Sequence, residues 1–200
     1  MAITAEAVRK LRDMSGQGMM ECKKALEEAD GDQTKALELL RKKGFATAEK
    51  RVGRATANGI IHTYIHHNKR IGVLVQVNCE TDFVARNTDF IKFADDLSKH
   101  IAAFSPIAVS RSQVDLKIVE SEREIAKAQV VGKPANIIDK IVEGKLDKYF
   151  AERVLLEQPW IHDDKQSVGE VLKSLIGKIG ENMTITQFAR FDVGVVPSEE

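Results

Sequence analysis

The chain has 200 residues, of which 30 are basic and 30 acidic, so it carries no formal net charge. That length supports one domain with a sizeable core, or a small domain plus a larger one, and the balanced charge disfavours binding dominated by a polyanion. Two cysteines, Cys22 and Cys79, without a CxxC pair argue against a disulfide scaffold or zinc module. With no secretion-type apolar run after Met1 and no stretch near the ~20 apolar residues of a membrane span, a soluble cytoplasmic protein without membrane attachment is expected.

Residues 4–44 predict three short helices. Thr4 caps the first, in which Val8, Leu11 and Met14 recur at helical spacing before Ser15-Gly16-Gln17-Gly18 breaks it. The second runs from about Met19 to Ala29 with Cys22, Ala25, Leu26 and Ala29 inward. Asp32 caps the third, which holds Ala36, Leu37 and Leu40 and is expected to end at Gly44. From Phe45 to Asn58 alanines and basic residues replace apolar mass, and this segment reads as a linker, in part helical. Strands follow at Ile60–His67 and Ile71–Asn78 around the turn Asn68-Lys69. Ile71, Val73, Val75 and Val77 share one face by the period of two.

Between the second strand and the next helix lies Asn78-Cys79-Glu80-Thr81-Asp82-Phe83-Val84-Ala85-Arg86-Asn87. A connection of this kind should be polar and turn-forming, yet it carries Phe83 and Val84. Phe83 either folds back beneath the helix as a core residue, or projects as an apolar wedge framed by charge, the usual anatomy of an interface hot spot. The next helix spans about Thr88–Phe104, with Phe90, Ala94, Leu97, Ile101 and Phe104 on one stripe. Further helices are predicted at about Leu116–Val130 and at Pro134–Glu157, with Pro134 at the first helical position and a potential break at Gly144. Ser167-Val-Gly-Glu170 is a capping box that opens a helix stopped by Gly180. Met183–Phe191 reads as a third strand that joins the hairpin, with Met183, Ile185 and Phe191 on one face and Phe188 on the other.

Chemistry-bearing patterns are scarce. His62 and His66 share a strand face but stand about 13 Å apart along it, too far to share a zinc that needs nitrogens at about 2 Å. Cys79 as a nucleophile has only spacing in its favour. Gly16-Gln-Gly18 lacks the third glycine of a dinucleotide fingerprint, and Gly132-Lys133 and Gly177-Lys178 lack the Ser or Thr of a phosphate loop. No metal, cofactor or catalytic residue is therefore expected. Arg41-Lys42-Lys43 with Lys50, Arg51 and Arg54 favours a rival class, an RNA-binding translation accessory. Aromatics at 6% give few stacking platforms, and such a run also suits a solvated helix end before Gly44.

Thr81-Asp82-Phe83-Val84-Ala85-Arg86-Asn87 resembles the signature of the bacterial elongation factor Ts family. Gly16-Gln-Gly-Met-Met-Glu-Cys-Lys-Lys-Ala-Leu26 resembles the family's N-terminal motif, and Leu156-Glu-Gln-Pro-Trp-Ile-His-Asp-Asp164 its C-terminal one, in the family's order. The resemblance implies an α+β fold: a three-helix ubiquitin-associated-like domain over residues 1–52, then a core over 53–196 of helices packed on a small antiparallel three-stranded sheet, and a tail at 197–200. It implies a guanine-nucleotide exchange factor, not an enzyme, that binds elongation factor Tu with GDP and promotes GDP release. Thr81, Asp82, Phe83 and Val84 would then disturb Tu's magnesium environment, while Arg12, Met19 and Met20 would contact its nucleotide-binding domain. Long family members carry a second core-like half that is absent here, so a homodimer through the strand Met183–Phe191 is expected.

Overall fold

The computed structural model describes residues 3–130 and 134–194; the tail at 197–200 and the Gly132-Lys133 pair lie outside these. Three helices open the chain: α1 (Ala5–Ser15), α2 (Met19–Glu28) and α3 (Gln33–Arg51). Side-chain caps start the first and third, while α2 begins after Gly18 with no side-chain cap. Thr4 accepts a hydrogen bond from the Ala7 amide, and Asp32 accepts from those of Thr34 and Lys35. Gly16 ends α1 in the left-handed region at φ 66°. Val8, Leu11, Cys22, Leu26, Ala36 and Leu40 form a small shared core, as the helical periodicity predicts.

Gly44 does not end the third helix. α3 continues through it to Arg51, so most of the expected linker is helix and the Arg41-Lys42-Lys43 run lies mid-helix. The physical reason is close approach. A Cβ added to Gly177 would lie 2.5 Å from Gly44 Cα and 2.7 Å from the Gly44 carbonyl oxygen. Gly177 is what lets the two helix backbones cross, a Cβ on Gly44 having room at 3.9 Å, and neither φ demands glycine. Further along α3, Ala48 is buried in the main core, so this one helix packs against both hydrophobic clusters.

The sheet is β1 (Asn58–Ile65), β2 (Ile71–Cys79) and β5 (Met183–Asp192), all antiparallel in the order β1-β2-β5. Asn68-Lys69 makes the hairpin turn, with Lys69 at φ 57°. On the inner face Val73, Val75 and Val77 pack against α5 (Thr88–Phe104) and α8 (Val168–Ile179) through Phe90, Leu97 and Leu172. The Ser167/Glu170 capping box is formed at the start of α8, and Gly180 ends it at φ 84°. Phe191 departs from its expected face. β5 pairs Ile185 with Val77 but Gln187 with Gln76, so Thr186 is an extra residue in a bulge. Met183 and Ile185 face the core before the bulge and Phe188 does so after it, which leaves Phe191 on the outer face, 66% exposed.

α6 (Leu116–Ala128) and α7 (Ala135–Arg153) pair as a helical hairpin with its own apolar cluster of Val114, Ala126, Val142, Leu146 and Phe150. Gly144 does not break α7, and Pro134 sits at its N-cap, one residue before the expected place. Arg111 closes the base of this hairpin. It grips Glu157 at 2.5 and 2.6 Å, reaches Asp147 at 2.7 Å and lies over the Phe150 ring. A small ribbon of β3 (Pro159–Trp160) and β4 (Asp163–Ser167) leads into α8. Its mostly polar strands give no alternation to read in advance.

Candidate functional site

The segment between β2 and α5 folds as a single turn of helix, α4 (Asp82–Ala85). Thr81 is its N-cap, accepting from the Val84 amide at 3.5 Å, and Asn87 caps the following helix α5 by accepting from the Asp89 and Phe90 amides. Within α4 the apolar pair divides. Val84 is buried against the sheet and α5, whereas Phe83 is 80% exposed, the most exposed of the large hydrophobic side chains among the described residues. The choice between core residue and projecting wedge is decided by that burial. Phe83 projects.

Asp82 and Arg86 flank Phe83 and form an i,i+4 ion pair. Both are largely exposed, so the pair contributes little to stability and either partner can change contacts. Behind the turn the contacts are inward and numerous. Glu181, in the connection after α8, accepts from the Thr81 amide at 3.1 Å and from its hydroxyl at 2.8 Å. Glu80 accepts from the Asn182 amide at 2.6 Å, and its carboxylate lies 3.8 Å from Arg51 and 3.6 Å from Arg54. The Asn182 hydrogen bond and then the two arginines hold the Glu80 carboxyl below the usual glutamate range. The Cys79 thiol donates to the Thr81 carbonyl at 3.1 Å, and burial, with Glu181 nearby, pushes its pKa up. A buried thiol with a raised pKa is poor material for a nucleophile.

Arg12, Met19 and Met20 lie on the helical unit and are all solvent-exposed, Met19 by 39% and Met20 by 64%. The adjacent methionines therefore both face outward. They are carried by α1 and α2, while α4 rests on β1, β2 and α5. α3 and α8, crossed at Gly44 and Gly177, bridge these regions. Sequence reasoning missed Glu80, Glu181 and Asn182. They stand about a hundred residues apart, and no local pattern marks a carboxylate whose partner is a distant backbone amide.

The remaining candidates have structural partners. His62 Nδ1 meets Ser98 Oγ at 3.3 Å, and His66 Nδ1 meets Tyr64 Oη at 2.9 Å. Among the described residues no three His, Cys, Asp or Glu side chains gather as a metal site, and no helix is long and apolar enough to cross a membrane.

A family model described as "Elongation factor TS" matches residues 38–195. Curated relatives named elongation factor Ts agree over almost the whole chain. The one from Thermotoga petrophila is 52% identical over 97% of this chain and 98% of its own length. That from Carboxydothermus hydrogenoformans is 50% identical over 96% of this chain and 89% of its own. This chain belongs to the elongation factor Ts family. Its role is therefore that of a translation elongation factor in protein biosynthesis. Membership also agrees with the α+β architecture of helices on a small antiparallel sheet, and with the resemblance of the three separated motifs.

Proposed function

We propose that this chain is a guanine-nucleotide exchange factor that binds elongation factor Tu with GDP and promotes GDP release in the cytoplasm, allowing GTP to load. The observation that carries the reading is Phe83, which is 80% exposed on a turn anchored from behind. A large aromatic that gains little from folding, framed by charge on an anchored turn, has the anatomy of an interface anchor. On this reading Phe83 inserts between helices of Tu's nucleotide domain and Asp82 exchanges Arg86 for a group of the partner. Thr81 and Val84 fix the turn, while Arg12, Met19 and Met20 dock on the same domain.

The displaced element of Tu carries part of the magnesium environment. Magnesium demands near-octahedral oxygen geometry and tolerates distortion poorly, so a small shift weakens the hold on GDP. The effect is reciprocal: a factor that lowers Tu's affinity for GDP is itself bound less tightly by the same ratio when GDP is present. No bond is made or broken on this chain, and no cofactor is required. The RNA-binding alternative has less support, because Arg51 and Arg54, two of its cations, are directed at Glu80.

We further infer a homodimer. Met183 and Ile185 belong to the core, so their apolar surface is not available to a second copy. What remains is the β5 edge and the outer sheet face, where Ile61, Ile65, Leu74 and Phe191 are exposed.

The deciding experiment loads Tu with fluorescent GDP and follows its release in excess unlabelled nucleotide. This chain should accelerate release in a concentration-dependent, saturable way, and an unchanged release rate would exclude the exchange reading.

A further inference from the structure

Two turns a hundred residues apart exchange carboxylates. Glu80, before α4, accepts the backbone N–H of Asn182, and Glu181, beside Asn182, accepts the backbone N–H of Thr81. Each turn thus supplies the acceptor for the other's amide, as the two members of a capping box do within one helix. Glu181 adds a second contact, from the Thr81 hydroxyl at 2.8 Å.

That hydroxyl has one proton and two lone pairs. Donating the proton to Glu181 directs a lone pair toward the Val84 amide, the bond that caps α4. A four-residue helix has no cooperative stability of its own, since nucleating a turn costs more than one turn's hydrogen bonds return. Phe83 adds almost no packing. The turn is held by the buried Val84 side chain on one side and the Thr81 cap on the other, and the cap's orientation depends on Glu181.

Resting on the exchange reading above, we propose that Glu181 is a positioning residue for nucleotide exchange: it holds Thr81 so that Phe83 is presented in its docking geometry before the partner arrives. Glu181 acts through Thr81 and needs no contact with Tu. Its consequence is kinetic and separable. When only a fraction of molecules present the competent turn, the apparent affinity falls by that fraction while the bound state is unchanged.

The test is a titration of fluorescent GDP release from Tu against this chain, giving a half-saturating concentration and a maximal rate. Glu181→Ala, which removes two charge-assisted hydrogen bonds from Thr81, should raise the half-saturating concentration by about tenfold or more and leave the maximal rate within about twofold of wild type. Glu181→Gln, which keeps one acceptor, should fall between Glu181→Ala and wild type. A wild-type half-saturating concentration in Glu181→Ala, or a loss confined to the maximal rate, would overturn the proposal.

Amide hydrogen exchange on the free protein supplies the reading that needs no partner. Glu181→Ala, or Glu181→Gln should the alanine variant fail to fold, should speed exchange at Thr81 and Val84 relative to the α5 amides. Unchanged protection there overturns the positioning role. Faster amide exchange alongside a wild-type chain that never accelerates GDP release supports the local geometry and removes Tu as the partner instead.

Discussion

Replacing Phe83 by alanine separates a docking residue from a packing residue. Full burial of a phenylalanine side chain is worth about 1.5–3 kcal/mol. At 80% exposure only about a fifth of that, ~0.3–0.6 kcal/mol, is at stake. Alanine's better helix propensity returns up to ~0.5 kcal/mol, so the net change should stay within about 0.5 kcal/mol. For a chain of this size, where 1 kcal/mol moves Tm by about 2–4 °C, the shift should be no more than about 2 °C. Truncating a central interface anchor costs about 2 kcal/mol or more, which corresponds to roughly a 30-fold loss in acceleration of GDP release. Both quantities should be measured on one preparation, by a melting curve and by fluorescent GDP release. A drop in Tm beyond about 6 °C, the range of a core Phe→Ala change of ~3–5 kcal/mol, would refute the exposure argument. Normal exchange by a folded Phe83→Ala protein would refute the docking role. Asp82→Ala should slow release less, since a solvated ion pair contributes less than an inserted aromatic.

The two crossing glycines should respond with opposite signs. Gly177→Ala places a Cβ 2.5 Å from Gly44 Cα and should lower stability by about 1–2 kcal/mol in a chemical-denaturation series, overpacking outweighing helix propensity. Gly44→Ala meets Gly177 Cα at an ordinary 3.9 Å and should raise stability by up to ~1 kcal/mol. His100, wholly buried, donates from Nε2 to Gln158 Oε1 at 3.0 Å, while its Nδ1 has no partner. Burial holds its pKa below the usual histidine value, so the stability from keeping it neutral is complete above about pH 6.5 and is lost as pH falls below that. Tm should therefore drop between pH 7 and 5.5, a window in which Glu80 and Asp96, both held below their ordinary ranges, stay charged; His100→Leu should flatten that drop. Light scattering at tens of micromolar should report twice the chain mass, and a monomer would remove the homodimer.

Much of the architecture was legible because its signals are local. The apolar stripe of α5 and the Ser167/Glu170 box before α8 are signals of this kind, and both helices begin where they predict. Gly44 was misread because a glycine after basic residues looks the same whether it ends a helix or lets another backbone approach; only Gly177 distinguishes them. At the candidate site the motif around Phe83 was visible, but its direction was not. Burial of Val84 beside exposure of Phe83 is decided by the sheet and α5 beneath the turn. The Glu80–Asn182 and Glu181–Thr81 contacts depend on chain closure over a hundred residues, beyond any window of periodicity.

The bulge in β5 gives that strand a residue of slack. Thr186 has no partner position on β2, so its removal can flatten the bulge while Met183, Ile185, Phe188 and Phe191 keep their sides. Loss of Ala189 could instead be absorbed by drawing Thr186 into register. That would turn Gln187 toward Val75 and the core, and Phe188 outward beside Leu74, because a shift of one residue exchanges the faces of a strand. A deletion in this strand should accordingly be tolerated better at Thr186 than at Ala189.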